Sequence, residues 1–203
     1  MNKKHKQTIT LSIAAAALAF FTGCNTTGAT YVDPNSTDTI VSLNQINIQD
    51  WNKAADDLVS DLLMSGALGG QTSDPAVMAI SRIKNDTQVM VNTESLTKKI
   101  QVALNNSGRV VTTTTLGYGG KAADPMAAEA AQMEAFMSGK AVETKLPDYT
   151  LSGTLMQDTV KAGSTRQVSY IFQLSLTSVK DGIAIWEGEK IITKQGNKPA
   201  VSW

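Results

Sequence analysis

Cysteine and histidine are almost missing from this chain, which carries one of each in 203 residues. Cys24 and His5 both lie near the amino terminus. One thiol cannot form an internal disulfide. A zinc or transition-metal centre would lack its usual ligands, so no metal is expected. A catalytic triad with a histidine base is excluded for everything after His5. Aromatic residues make up only 5% of the chain, so its core must be mostly aliphatic, and the 42% apolar content can supply one. There is no excess of positive charge, with 18 basic against 18 acidic residues, and hence no basic face for nucleic acid. Long apolar runs are missing too. The stretch Thr8 to Phe21 falls short of the ~20 residues that a membrane span needs.

Catalytic motifs are equally absent. There is no phosphate-binding loop, and no Gly-x-Ser-x-Gly elbow. Gly117-Tyr118-Gly119-Gly120 lacks the spacing of a dinucleotide fingerprint and reads as a flexible turn. No pair of carboxylates sits in an apolar setting that would mark a glycosidase. The chain is expected to be neither an enzyme nor a cofactor carrier.

The amino terminus is the most informative stretch. Lys3, Lys4 and Lys6 form a basic head, an alanine-rich apolar segment follows, and small residues lead into Cys24. That order describes a secretory signal peptide over residues 1–23. Phe21-Thr22-Gly23-Cys24 resembles the bacterial lipobox, with Phe21 where leucine is usual. The resemblance implies cleavage before Cys24, lipidation of its thiol and acylation of its freed amine. The alternative is an ordinary signal peptide with a chance cysteine. Several acyl chains anchor stably where one does not, at ~0.8 kcal/mol per buried CH₂. Asn25, and not aspartate, follows the cysteine. In Gram-negative sorting this implies the outer membrane, facing the periplasm. Loss of the basic head would leave 15 basic against 18 acidic residues, a charge of about −3.

Residues 24–47 read as the lipidated terminus and a short flexible tether, polar and without sustained periodicity. Thr39 to Leu43 is the exception, a short strand or a segment that packs on the domain. About 23 steps reach at most ~80 Å when extended, and ~25 Å as a flexible coil.

Residues 48–203 read as one globular domain. A first helix is expected from Ile48 to Gly66, capped by Asn47, with the stripe Trp51, Ala55, Leu58 and Leu62. Val77 to Ile83 reads as a buried strand. A second helix is expected over Thr93–Asn105, with Leu96, Ile100 and either Ala103 or Leu104 inward. Arg109 to Thr115 is rich in β-branched residues and reads as a strand. A third helix runs over Pro125–Met137, with Asp124 as N-cap and proline at the first helical position. Its Met126, Met133, Phe136 and Met137 are core filling or a soft partner-binding face.

The last quarter changes period from 3.6 to 2. Strands from Tyr149, from Val168 and from Ile183, joined at Lys161–Ser164 and at Asp181-Gly182, predict a three-stranded antiparallel meander. The fold class is α+β, or mixed α/β: one sheet with flanking helices. If Leu155, Phe172 and Ile185 face the core, then Met156, Ile171 and Trp186 share the other face. They would form either an exposed docking patch or a face covered by the first helix.

Pro147-Asp148-Tyr149-Thr150-Leu151-Ser152-Gly153 resembles the LpoB family, the outer-membrane lipoprotein activators of penicillin-binding proteins. So do Tyr170 to Leu176, Ala184-Ile185-Trp186-Glu187 and Val201-Ser202-Trp203. The resemblance implies a fold like the amino-terminal domain of the periplasmic protein TolB. It implies a monomeric regulator of peptidoglycan synthesis, cell-wall biogenesis and cell shape. The implied partner is a class A penicillin-binding protein of the 1b type, contacted through its small non-catalytic domain. Members that span the periplasm carry long, proline-rich tethers, whereas only Pro34 precedes the first helix here. The other reading is an envelope assembly or adaptor lipoprotein that uses the same domain in another outer-membrane complex.

Overall fold

The computed structural model describes residues 28–29, 31–34, 36, 40–69, 74–116, 122–141 and 145–197. Cys24, the turn at 117–120 and Val201-Ser202-Trp203 lie outside the described residues. The chain divides into two units, Met1–Asp38 and Thr39–Trp203. In the first, the Ser36 N–H donates to the Asp33 carbonyl (3.0 Å) and closes a turn. The second is the folded domain.

Helix α1 spans Ile48–Met64. The Asp50 carboxylate accepts from the Asn47 N–H at 3.1 Å and satisfies one donor of the helix start. Trp51, Ala54, Ala55, Leu58, Val59 and Leu62 are buried, a stripe at helical spacing. Asp56 and Asp57 stand off it and meet Lys99 (3.1 Å) and Lys190 (3.9 Å). Helix α2 spans Thr93–Asn106, with the Asn92 side chain accepting from Ser95 N–H at 2.9 Å. Leu96, Ile100 and Leu104 are its buried stripe, so Leu104 takes the inward position and Ala103 only packs at its margin. Helix α3 spans Pro125–Ser138. Asp124 caps its start and Gly139, at φ 67°, ends it in the left-handed conformation.

Six strands form one mixed sheet. They are β1 (Ala76–Ile80), β2 (Lys84–Asp86), β3 (Val110–Thr112), β4 (Tyr149–Ala162), β5 (Thr165–Ser178) and β6 (Ile183–Asn197). The order is β3-β1-β4-β5-β6, with β2 also paired to β4. β1 runs parallel to both β3 and β4. β2 continues along the same edge of β4, opposite Thr154–Met156. β4, β5 and β6 make the expected antiparallel meander. The fold is mixed α+β, as expected from the change of period.

Two strands depart from expectation. The single strand expected over Val77–Ile83 is β1, which ends at Ile80, and a separate β2 follows. All three β2 side chains are exposed and polar, so no hydrophobic pattern marks it. β3 stops at Thr112. Beyond it, Thr113 N–H donates to Met78 and the Thr114 carbonyl accepts from Asp124, which turns the chain toward α3.

The meander supplies the inner wall of the core. Val168, Tyr170, Phe172, Leu174 and Leu176 alternate along β5 and are buried. Leu151 and Leu155 lie opposite Leu176 and Phe172. Full burial of each such side chain contributes about 1.5–3 kcal/mol. The motif around Asp148 ties the sheet together. Its carboxylate accepts from Val77 N–H at 2.8 Å, its own N–H donates back to the Val77 carbonyl, and its carbonyl accepts from Val179. Gly153 is small for a packing reason, since a Cβ there would lie 2.7 Å from Leu174 Cδ2 and 3.1 Å from the Gln173 carbonyl.

Gly188 has the same role on β6. An added Cβ would lie 2.5 Å from two atoms of the Trp186 indole and 2.9 Å from Leu58 Cδ2 on α1. The indole lies across the glycine, between strand and helix. Gly188→Ala is therefore expected to destabilise the domain by about 1–3 kcal/mol through overpacking. Urea denaturation checks this. A variant as stable as the parent would mean that the indole swings aside freely.

The segment before α1 is part of the domain. Leu43 and Ile46 pack against the core. Asn44 Oδ1 accepts from Arg166 Nη1 at 2.8 Å, and the Gln45 carbonyl accepts from Lys194 Nζ at 3.1 Å. Lys194 also pairs with Asp50 at 2.7 Å, its side chain nearly buried. The folded part accordingly begins before Ile48, inside the stretch 24–47 expected to be tether. Ile40 and Val41 are exposed and form no strand.

Candidate functional site

The core-facing side of the sheet carries α1 and α2, whose buried stripes join the strands in one cluster. The opposite side of the meander is the first candidate surface. Met156 and Ile171 are cross-strand partners there, and Ile171 faces Ile191 on the next strand. Met156 and Ile171 are half-buried, whereas Ile191 is exposed.

Trp186 does not share this face. It pairs with Leu176, a core residue, and packs against the core cluster. The reason is a bulge: the register between β5 and β6 shifts at Leu176/Thr177, where Ala184 and Trp186 are matched to consecutive residues of β5. One extra residue inverts the parity that simple alternation assigns. Ile191 is the residue that sequence reasoning missed. Alternation counted back from Lys194, past the bulge, would have found it.

The polar residues around this row are engaged with each other. Gln173 Nε2 donates to Glu189 (2.6 Å), Ser175 meets Glu187 (3.3 Å) and Ser169 meets Thr193 (3.0 Å). These are cross-strand pairs of the kind that stabilise a sheet.

The second candidate is α3. None of its residues is buried. Met126, Met133, Phe136 and Met137 are all exposed, which overturns core filling as the role of this cluster.

The third is an open groove of about 1190 Å³. Arg82 follows β1, Thr113 follows β3, Thr93 and Lys98 come from α2, and Asp124 and Met126 open α3. Hydroxyls, single charges and the apolar Ile80, Leu116 and Pro125 line it, and among these residues no nucleophile is paired with a base.

Among the described residues, one titratable group stands out from its ordinary range. Burial raises the Tyr170 phenol above its usual pKa; Arg166 opposes this and Asp50 adds to it. The ring is fully buried, and its hydroxyl has no protein hydrogen-bond partner. It serves as a core residue. Among the described residues there is no cluster of His, Cys, Asp and Glu able to hold a metal, and no helix long and apolar enough to cross a membrane.

Comparison with known proteins gives the domain its relatives. No curated protein sequence matches the chain. Among solved structures it is similar to the LpoB C-terminal domain from Escherichia coli, at 18% identity and a TM-score of 0.41. That match covers 70% of this chain and 98% of the other. The LpoB C-terminal domain from Salmonella enterica is similar at 18% identity and a TM-score of 0.42, with the same coverage. Lipoprotein GNA1162 from Neisseria meningitidis is similar at 14% identity and a TM-score of 0.36, covering 62% of this chain and 88% of the other. The model of the peptidoglycan-synthase activator LpoB matches residues 50–192, from the first turn of α1 to the middle of β6. That span is most of the chain, and the protein belongs to the LpoB family of peptidoglycan-synthase activators.

Proposed function

We propose that this protein is an outer-membrane lipoprotein that binds and activates a class A penicillin-binding protein. The match of the family model across residues 50–192 carries this reading. Cys24 supplies the anchor, and the domain faces the periplasm. The protein acts without catalysis of its own, as a regulator of a synthase of the 1b type, contacted through that enzyme's small non-catalytic domain.

A glycan-polymerisation assay tests the reading directly. The purified full chain in detergent should raise the rate of a class A synthase from the same cell. Absence of stimulation for every such synthase would sink it.

A second reading, an adaptor within an outer-membrane complex, is favoured by one observation. The domain unit begins at Thr39, and residues 43–47 are bound to it through Arg166, Lys194 and core contacts, which leaves only about 14 residues after Cys24 as a tether, a reach of ~50 Å at most. Insertion of ~20 flexible residues after Asn25 separates the two. Improved activation in cells would show that reach limits an activator.

A further inference from the structure

Helix α3 is turned inside out. Its half-buried side chains are the small ones, Ala127, Ala128, Ala131 and Ala135. Its large side chains point the other way, with Met126, Met133, Phe136 and Met137 between 60% and 85% exposed. Met126, Ala130, Met133 and Met137 follow one another at steps of four, three and four residues. They therefore form a single stripe along the helix, and Phe136 flanks it. The helix does not owe its shape to the core. Asp124 caps it at 3.1 Å from Ala127 N–H, proline opens it and Gly139 closes it. The result is a preformed apolar ridge in water, made of side chains that adapt to a partner's contour.

Charge narrows the occupant. Glu129 and Glu134 are the only charged residues of α3, and both border the stripe. In a parallel pairing of two such helices, Glu129 of one copy would face Glu134 of the other, and like charges there oppose association. A membrane surface of anionic lipid is disfavoured for the same reason. The complement is an apolar groove with lysine or arginine on its rim. The open sheet face offers less: Met156 and Ile171 are half-buried, and the polar groups around them already bond to each other.

We propose that the Met126–Met133–Met137 ridge of α3, with Phe136, docks into a basic-rimmed apolar groove on the synthase. This rests on the reading of the chain as a synthase activator. Binding of the full chain in detergent to a class A synthase from the same cell is measured at low and high salt. Glycan polymerisation is measured in parallel. The double variant Met133→Ser/Met137→Ser should weaken binding by at least about tenfold, as expected for centrally placed anchors. Glu129→Lys/Glu134→Lys should weaken it too and remove the salt dependence. Ile171→Ser on the sheet face should bind like the parent. Circular dichroism confirms that the variants keep their helices.

If the methionine variant binds within about twofold of the parent, α3 is not the docking surface while the activator reading stands. Loss of binding in Ile171→Ser alone would move the interface to the sheet. Dimers that depend on Met133 and Met137 would give the ridge to a second copy and overturn the proposal. If the parent chain neither binds nor stimulates, the activator reading itself fails, and the docking proposal with it.

Discussion

Phe172→Ala is expected to destabilise the domain by about 3–5 kcal/mol, the usual cost of removing a buried aromatic ring. Phe172 is fully buried at the centre of β5. The Trp51 indole of α1 meets it edge-on, with ring centroids 6.0 Å apart and planes at 88°. Tyr170 meets the same indole at 6.3 Å and 73°. In a chain with 5% aromatic residues, these three rings carry much of the contact between helix and sheet. Domain stability is typically about 5–15 kcal/mol, so the loss would consume a large share of it. Urea titration followed by circular dichroism should show a lower midpoint with an unchanged slope. A cycle with Trp51→Leu should return a coupling of about 0.5–1.5 kcal/mol for the edge-to-face pair. A Phe172→Ala loss below about 1 kcal/mol would mean that the core collapses into the gap, contrary to the packing described.

Cys24→Ser should have the largest cellular effect. The anchor proposed at Cys24 rests on several acyl chains, each contributing ~0.8 kcal/mol per buried CH₂. A serine there cannot take the thioether-linked lipid. The variant is expected to leave the membrane fraction, or to persist as an uncleaved precursor, and to stop incorporating labelled palmitate. Activation in cells should fall with it, although the purified domain keeps its stimulating power. Continued labelling of the serine variant would place the lipid elsewhere and remove the basis for the tether argument.

Much of the fold was legible in the sequence because it rests on local rules. α1 announced itself through Trp51, Leu58 and Leu62 at helical spacing, and α3 through Asp124, Pro125 and Gly139 at its ends. The meander showed as strict alternation from Val168 to Leu176, closed by Asp181-Gly182. What stayed hidden depends on contacts far apart in sequence. Lys84–Asp86 is a strand only because Thr154–Met156 lies beside it. The bulge near Ala184 follows from how β6 meets β5, and it moved Trp186 to the core side. Asn44 and Gln45 are polar enough to read as tether, yet Arg166 and Lys194 hold them from more than a hundred residues away, whereas Leu43 packs on the domain as one of its two expected roles. The methionines of α3 were visible as a stripe. Only the structure shows that they are exposed, with no described element over them.

The strand order also governs when this domain can exist at all. A chain emerges amino terminus first, and α1 and β1 are among the earliest parts to appear. At that stage α1 can meet only α2, and β1 only β3, which is part of their packing surface. Much of the core that buries Trp51, Leu58 and Met78 comes from β4 and β5, in the final quarter of the sequence. The hairpins of the meander close over turns of a few residues, whereas the union of β1 with β4 spans about 70, so the late strands should form first and recruit the early ones. Until then the leading half lacks most of its sheet, and a chain without its full core can be threaded across a bilayer. If the leader proposed at residues 1–23 directs export, a sheet with its keystone at the carboxy-terminal end would delay folding until almost the whole chain has crossed.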